Sequence, residues 1–256
     1  MGARQNMAMV AALTRRAMNE ILRVPGAAVP GILAPTIFFL GLVAVFGNLT
    51  LLPGFTTESY QSFIIAVGLL QGAGFTGAAT GVNLARDIEQ GWFDRLLASP
   101  APRWVLLTGI VASASFRALL PASVLLIVGI ALGASWPGPG GLAVAVVVVM
   151  GMAIVAANWA TMLALRFRSQ SAAPLMQAGI FILILMTTAY APLALLTGWL
   201  QDVARINPAT QILEAARQGF VGDVTWAETW PGLLALLGFT AILGSLALIG
   251  MRRTAE

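Results

Sequence analysis

Three residue types are missing from this sequence, and their absence excludes several chemistries. The 256 residues include no cysteine and no histidine, and all 14 basic residues are arginines, so lysine is missing too. Without cysteine and histidine there is no disulfide, no thiol nucleophile, no zinc thiolate site and no histidine general base. Without lysine there is neither a Gly-x-x-x-x-Gly-Lys phosphate-binding loop nor a Schiff base. We therefore expect no catalytic, cofactor-binding or metal site, and if ATP drives this protein another chain hydrolyses it.

Charge is also scarce. Only 9% of the residues are charged and 59% are apolar, whereas a soluble domain usually carries about 25% charged residues. Five long intervals contain no charge at all, at 24–57, 59–85, 118–165, 169–201 and 229–251. Each is longer than the roughly 20 residues that a helix needs to cross a bilayer. The composition therefore predicts an all-α membrane protein.

The longest of these intervals must hold two helices. Residues 118–165 are interrupted at 135–141 by Ser-Trp-Pro-Gly-Pro-Gly-Gly, and prolines and glycines at this density favour a turn over a continuing helix. The sequence thus predicts one transmembrane domain over residues 1–256 with six membrane-spanning helices. Their expected positions are 31–51, 61–84, 106–134, 142–165, 173–196 and 231–251.

The arginines predict the orientation, because short loops rich in arginine stay in the cytoplasm. With the N-terminus inside, the segment 1–30, the loop 86–103 and the other inner segments hold eleven arginines, whereas the outer loop 197–230 holds two. Both termini are therefore predicted to be cytoplasmic. Residues 7–23 alternate apolar and basic positions, which suits either a helix on the membrane surface or a basic flank of the first span.

The loop between the second and third spans is the first candidate functional segment. Its periodicity predicts a short amphipathic helix at the cytoplasmic face, ended by the Ser99-Pro100 pair. The apolar side consists of Ile88, Trp92, Phe93, Leu96 and Leu97, and the polar side of Asp87, Gln90 and Asp94. No base or metal ligand lies near the carboxylates in the sequence, so we expect Asp87, Glu89 and Asp94 to form a solvated face, not an acid–base pair.

Two stretches of this chain resemble family motifs. The first reads Arg86-Asp87-x-x-x-Gly91-x-x-Asp94-Arg95-Leu96-x-x-Ser99-Pro100-x-x-Arg103, and the second reads Asn207-Pro208-Ala209-Thr210 followed by Glu214-Ala215-Ala216-Arg217. Together with the six spans, they resemble ABC-2 type exporter permeases of the daunorubicin-resistance and nodulation-factor group, over essentially the whole chain. Several members of that group have threonine where this chain has Trp92 and a basic residue where it has Ile110.

The resemblance implies a non-enzymatic permease subunit of an ATP-driven exporter. Two copies of a separate ABC ATPase would hold ATP and Mg, and the permease would pair with itself or a similar permease, as a homodimer or heterodimer. The cargo would be an amphiphilic drug, lipid or glycolipid moved out across the bacterial plasma membrane, with no nucleic-acid partner. The 86–103 loop would be the coupling helix that docks on the ATPase. Its coupling residues would be Asp87, Gly91, Trp92, Phe93, Asp94, Arg95, Leu96, Ser99 and Pro100.

The second motif lies in the outer loop before the sixth span. The resemblance makes Asn207, Pro208, Glu214 and Arg217 an extracytoplasmic motif. The periodicity predicts an amphipathic outer helix there, with an apolar side that includes Ile212, Leu213, Ala216 and Phe220 and a polar side that includes Gln211, Glu214, Arg217 and Gln218.

Polar residues inside the spans are further candidates, because they either line a cargo path or form hydrogen bonds between helices. The main ones are Gln71, Asn83, Arg117, Asn158 and Gln177. For Arg117 we favour a structural role, with the side chain reaching the inner interface. Two Gly-x-x-x-Gly pairs, at 68–72 and 77–81, allow helices to approach closely within the chain or between subunits.

Two other functional classes remain open. The first is a secondary transporter driven by a proton or sodium gradient; a proton relay usually needs acids or histidine inside the membrane, and the predicted spans contain neither. A membrane scaffold or sensor linked to an ATPase would use the same coupling helix to transmit a signal without moving cargo. Vesicle transport assays distinguish these alternatives.

Overall fold

The computed structural model describes residues 3–23, 29–55, 57, 59–98 and 101–253. The described residues form ten α-helices and short 3-10 turns, and they contain no β-strand. The helices are α1 (Ala3–Arg23), α2 (Val29–Phe46), α3 (Tyr60–Glu89), α4 (Trp92–Leu97), α5 (Arg103–Ala131), α6 (Gly138–Phe167), α7 (Ala173–Leu185), α8 (Trp199–Ile206), α9 (Pro208–Val221) and α10 (Trp226–Arg253). The predicted all-α class is confirmed for the described chain.

Among the described residues, five helical segments are long and apolar enough to cross a membrane. They are Gly31–Leu51, Tyr60–Glu89, Arg103–Ala131, Gly138–Phe167 and Trp226–Arg252. Each contains or closely overlaps one predicted span. The predicted turn at 135–141 is shorter than expected, because α6 already begins at Gly138 and accepts Pro139 in its first turn, where a missing N–H costs nothing.

The predicted span at 173–196 differs from the observed helix. Helix α7 ends at Leu185 after 13 residues, about 20 Å of helix at 1.5 Å per residue. The chain then continues irregularly to a 3-10 turn at Leu193–Leu195. The predicted fifth span is therefore not a single regular helix.

Helix α3 lies at the centre of the bundle and contacts α2, α5, α6, α7 and α9. Glycines on its different faces allow these close approaches. A methyl group built on Gly68 would lie 2.5 Å from a Leu125 methyl carbon of α5. One built on Gly77 would lie 2.6 Å from the Ala153 carbonyl oxygen of α6, and Gly81 packs as tightly on Ala160. Both Gly-x-x-x-Gly pairs thus serve packing within the chain.

Candidate functional site

The turn between α3 and α4 depends on a glycine. Gly91 has φ +70° and ψ 8°, the left-handed conformation, and its N–H donates to the Ile88 carbonyl at 3.0 Å. Nothing lies within 4 Å of a methyl group built there, so backbone conformation alone selects glycine. Arg103 donates from Nη1 to the Leu97 carbonyl at 2.7 Å and so satisfies the C-terminal end of α4. Both ends of the short helix are therefore fixed.

Helix α4 turns one side inward. Phe93 is fully buried and Leu97 is 9% exposed, whereas Trp92 and Leu96 are half-buried and Asp94 and Arg95 are exposed. Phe93, one of the coupling residues that the resemblance implies, thus packs within this chain. The predicted coupling residues Ser99 and Pro100 lie outside the described residues.

Trp92 and Leu96 border a small cavity of about 80 Å³ at this end of the bundle. The cavity is also lined by Asp87, Asn83 and Arg117, among others. Arg117 is only 7% exposed, and its Nη2 donates to Thr80 Oγ1. The arginine is therefore mostly covered by neighbouring helices at the end of the bundle that carries α4, and its reach to the inner interface stays a prediction. The structural role that we favoured is consistent with its hydrogen bond to α3.

The connection between α6 and α7 is hydrogen-bonded to the C-terminal end of α3, at the same end of the bundle as α4. Glu89, the last residue of α3, accepts hydrogen bonds from Ser169 Oγ and the Gln170 N–H, both at 2.8 Å, and from Gln170 Nε2 at 2.6 Å. Arg168 Nη2 lies 3.9 Å from Asp94 Oδ1, with both side chains more than half exposed. No local sequence pattern predicts this contact, because it joins residues 80 and 81 positions apart.

The second motif lies at the opposite end of α3, where Arg217 is 2% exposed. Its Nε donates to the Phe63 carbonyl at 2.9 Å, its Nη2 to the Thr188 carbonyl at 2.8 Å and its Nη1 to Glu214 Oε1 at 2.7 Å. The guanidinium carbon lies 3.7 Å from the centroid of the Phe63 ring. Burial lowers the pKa of Arg217, and the Glu214 carboxylate opposes this shift.

The prediction that Arg217 lies on a polar outer side of α9 is therefore wrong. Gln218 was predicted on the same side and is also buried, with Nε2 donating to Thr229 Oγ1 at 2.8 Å. Helix α9 packs against α3, α6 and α10, so its polar residues are satisfied inside the protein. Periodicity alone cannot reveal such partners.

Asn207 of the same motif joins two helix ends. Its Nδ2 donates to the carbonyls of Leu183 and Met186 at 3.0 and 2.8 Å, and its Oδ1 accepts from the Ala209 N–H at 2.9 Å. One side chain thus caps the C-terminal end of α7 and the N-terminal end of α9. Pro208 follows at the first position of α9, where proline is favoured. The motif stabilises the irregular chain that begins where α7 ends.

The polar residues predicted inside the spans do not form one cluster. Asn83 and Arg117 line the same cavity, whereas Gln177 is exposed on α7. Asn158 is buried and donates to the Ile154 carbonyl at 3.0 Å within its own helix. Gln71 is 1% exposed, and neither of its amide atoms has a hydrogen-bond partner among the described residues. Within the described chain there is also no group of three potential acidic, cysteine or histidine metal ligands.

Comparison with known proteins identifies the family. The ABC-2 type transporter family matches residues 9–221. A protein of Escherichia coli strain K12, "Probable multidrug ABC transporter permease YbhR", is 27% identical over 204 residues, which cover 78% of this chain and 52% of that protein. This chain therefore spans about half the length of that relative.

Two further relatives are both named as a transport permease, ycf38. The one from Porphyra purpurea is 24% identical over 255 residues, covering 92% of this chain and 86% of that protein. The one from Pyropia yezoensis is 29% identical over 231 residues, covering 86% and 76%. Because the family match extends over most of its length, the chain belongs to the ABC-2 type transporter family.

Proposed function

We propose that this chain is the membrane-spanning permease subunit of an ATP-driven exporter, and that a separate ABC ATPase hydrolyses ATP and binds Mg. Family membership supports the proposal, as does the absence of lysine, which excludes a Gly-x-x-x-x-Gly-Lys loop in this chain. We place it in the daunorubicin-resistance and nodulation-factor group because of the Asp94-Arg95-Leu96 motif. Two permeases, identical or similar, would assemble with two ATPases.

Helix α4 is the proposed ATPase contact, and its shape is the observation that carries the proposal. It is a short helix held at both ends, with Phe93 and Leu97 anchored inward and with Asp94 and Arg95 presented outward. A rigid anchored helix transmits force better than a mobile loop. Trp92 and Leu96, half-buried beside it, would complete the contact.

The proposed topology has six crossings with both termini in the cytoplasm of a bacterial cell. Helix α7 and the irregular chain after it would make the fifth crossing, and α8 and α9 would lie on the outer side. Irregular backbone is tolerated at membrane depth where it is buried in protein and its polar groups are satisfied. The hydrogen bonds from Asn207 and Arg217 meet that condition.

The proposed cargo is an amphiphilic drug, lipid or glycolipid. ATP-driven closure of the ATPases would move α4 and shift the helices between inward- and outward-open arrangements. The relative named as a multidrug permease supports this cargo class. The spans also offer few charged groups that could bind an ion.

Co-purification from native membranes tests the proposal with two matched variants. Arg95 and Arg205 are both exposed arginines at opposite ends of the bundle. Arg95→Glu should release a co-purifying ATPase, whereas Arg205→Glu should retain it. Retention in both variants would contradict docking through α4. The absence of any ATPase, even after crosslinking in the membrane, would favour a gradient-driven transporter or a scaffold.

A further inference from the structure

The contact between Glu89 and the start of α7 links the end of α3 that adjoins α4 to a helix distant in sequence. Both carboxylate oxygens of Glu89 accept hydrogen bonds, and all three donors belong to Ser169 and Gln170. Arg86, one turn earlier in α3, adds a longer contact from Nε to Gln170 Oε1 at 3.4 Å. Two consecutive turns of α3 therefore contact one residue of the α6–α7 connection.

A negative charge at position 89 is favoured by the start of α7 and not by α3, the helix to which Glu89 belongs. The C-terminal end of α3 carries unsatisfied carbonyls, where a carboxylate is unfavourable. Gln170 instead begins the 3-10 turn Gln170–Ala172, which runs directly into α7. The free N–H groups at this helix start favour an anion. The carboxylate thus acts as a cap supplied to α7 from α3.

The position of Glu89 places it between the proposed ATPase contact and α7. Only Gln90 and Gly91 separate it from α4. Farther along, α3 and α7 pack together, with the rings of Phe75 and Phe181 stacked at a centroid distance of 6.1 Å. The exposed Asp94–Arg168 pair lies beside the tie at 3.9 Å, whereas Glu89, which is also exposed, accepts three hydrogen bonds of 2.6–2.8 Å. Glu89 therefore makes the geometrically better defined connection.

We infer that Glu89 is a positioning residue that makes α7 move together with α4 when the ATPase acts. The inference rests on the proposed function, and it assigns part of the transmission of that movement to one carboxylate. Without the tie, α4 would still dock on the ATPase and α3 would still respond. Helix α7 would follow α3 less closely, through their remaining packing alone.

A single label on α7 tests this in the reconstituted complex of permease and ATPase. The chain has no cysteine, so Leu175→Cys, at an exposed position of α7, carries the only thiol-reactive probe on the permease. We would measure the change in probe emission when a non-hydrolysable ATP analogue binds. The response should be strongly reduced in Glu89→Ala, less reduced in Glu89→Gln, which keeps one acceptor oxygen, and retained in Gln90→Ala, at the exposed neighbouring position.

The amount of ATPase bound per permease is measured in the same samples, because it distinguishes failure of this inference from failure of the proposed function. A full α7 response in Glu89→Ala with ATPase bound would overturn this inference alone. Failure of the unmodified permease to bind an ATPase would overturn the proposed function and this inference with it. In a second experiment, a short crosslink joins Glu89→Cys to Gln170→Cys, and a nitroxide attached at position 175 by a chemistry that does not use thiols replaces the first probe. This crosslink should preserve the response of α7. Loss of the response on crosslinking would show that residues 89 and 170 must separate, and it would also overturn the inference.

Discussion

Replacing Arg217 with methionine should strongly destabilise the protein, because the side chain satisfies several buried groups at once. Arg217→Met keeps an unbranched side chain but removes every donor. The Phe63 and Thr188 carbonyls would lose their hydrogen bonds from Nε and Nη2. A buried acceptor left without its donor costs about 1–3 kcal/mol, so the two carbonyls together account for about 2–6 kcal/mol.

The Glu214 carboxylate adds less to this total. Its side chain is 38% exposed, so water replaces part of the lost interaction and screens the pair. We therefore expect a loss of about 4 kcal/mol in the free energy of unfolding, in the range of about 3–5 kcal/mol typical of breaking a buried ion pair. The loss should be similar in Arg217→Lys, since an ammonium cannot reproduce the planar fork of donors.

Equilibrium unfolding in mixed detergent micelles, followed by circular dichroism, measures this loss. Arg205→Met is the matched control, because Arg205 is exposed on α8 at the same end of the bundle. Its effect should stay within about 0.5 kcal/mol, as for most surface substitutions. A loss below about 1 kcal/mol in Arg217→Met would refute the reasoning, because it would mean that the two carbonyls find other partners.

Substitutions at three further sites have defined expectations, each with a comparison variant. Gly91→Ala should cost about 1–2 kcal/mol of unfolding free energy through the left-handed backbone alone, and Gly91→Asn should cost less; equal costs would contradict this. Gly81→Ala should lower stability by about 1–3 kcal/mol, because the methyl group overlaps Ala160, whereas Gly238→Ala in open space should be neutral or stabilising. Asn207→Ala should lower the free energy of unfolding by more than the roughly 1 kcal/mol of a simple N-cap. Asn207→Asp keeps the α9 cap but loses the donor to α7, so it should be no more stable than Asn207→Ala. Thermal unfolding in detergent compares all of these variants.

The membrane-spanning helices could be predicted because the bilayer imposes a rule on sequence. A charge inside hydrocarbon is costly, so charge-free intervals locate α2, α3, α5, α6 and α10. The same rule predicted a longer helix than α7, because the apolar sequence continues past Leu185 while the helix ends there. The carbonyls freed there are satisfied by Asn207 and Arg217 from the next helices, and such partners are set by tertiary structure.

The candidate sites were predictable as segments but not as side-chain orientations. The 86–103 loop indeed contains a short helix, yet Phe93 lies in the core of this chain. Helical periodicity assigns faces but does not say which face another helix covers. Arg217 was expected on the polar side of α9, and it is instead buried against the Phe63 carbonyl of α3. The Glu89 tie links positions far apart in the sequence.

The central claim is that α4 docks on a separate ATPase, and photocrosslinking in native membranes tests it most directly. A photoreactive residue replacing Arg95 lies on the exposed side of α4, and one replacing Arg205 lies equally exposed at the opposite end. The account predicts that the probe at position 95 yields an adduct with an ABC ATPase subunit and that the probe at 205 yields none. An ATPase adduct from position 205 alone, or no ATPase adduct from position 95, would contradict it.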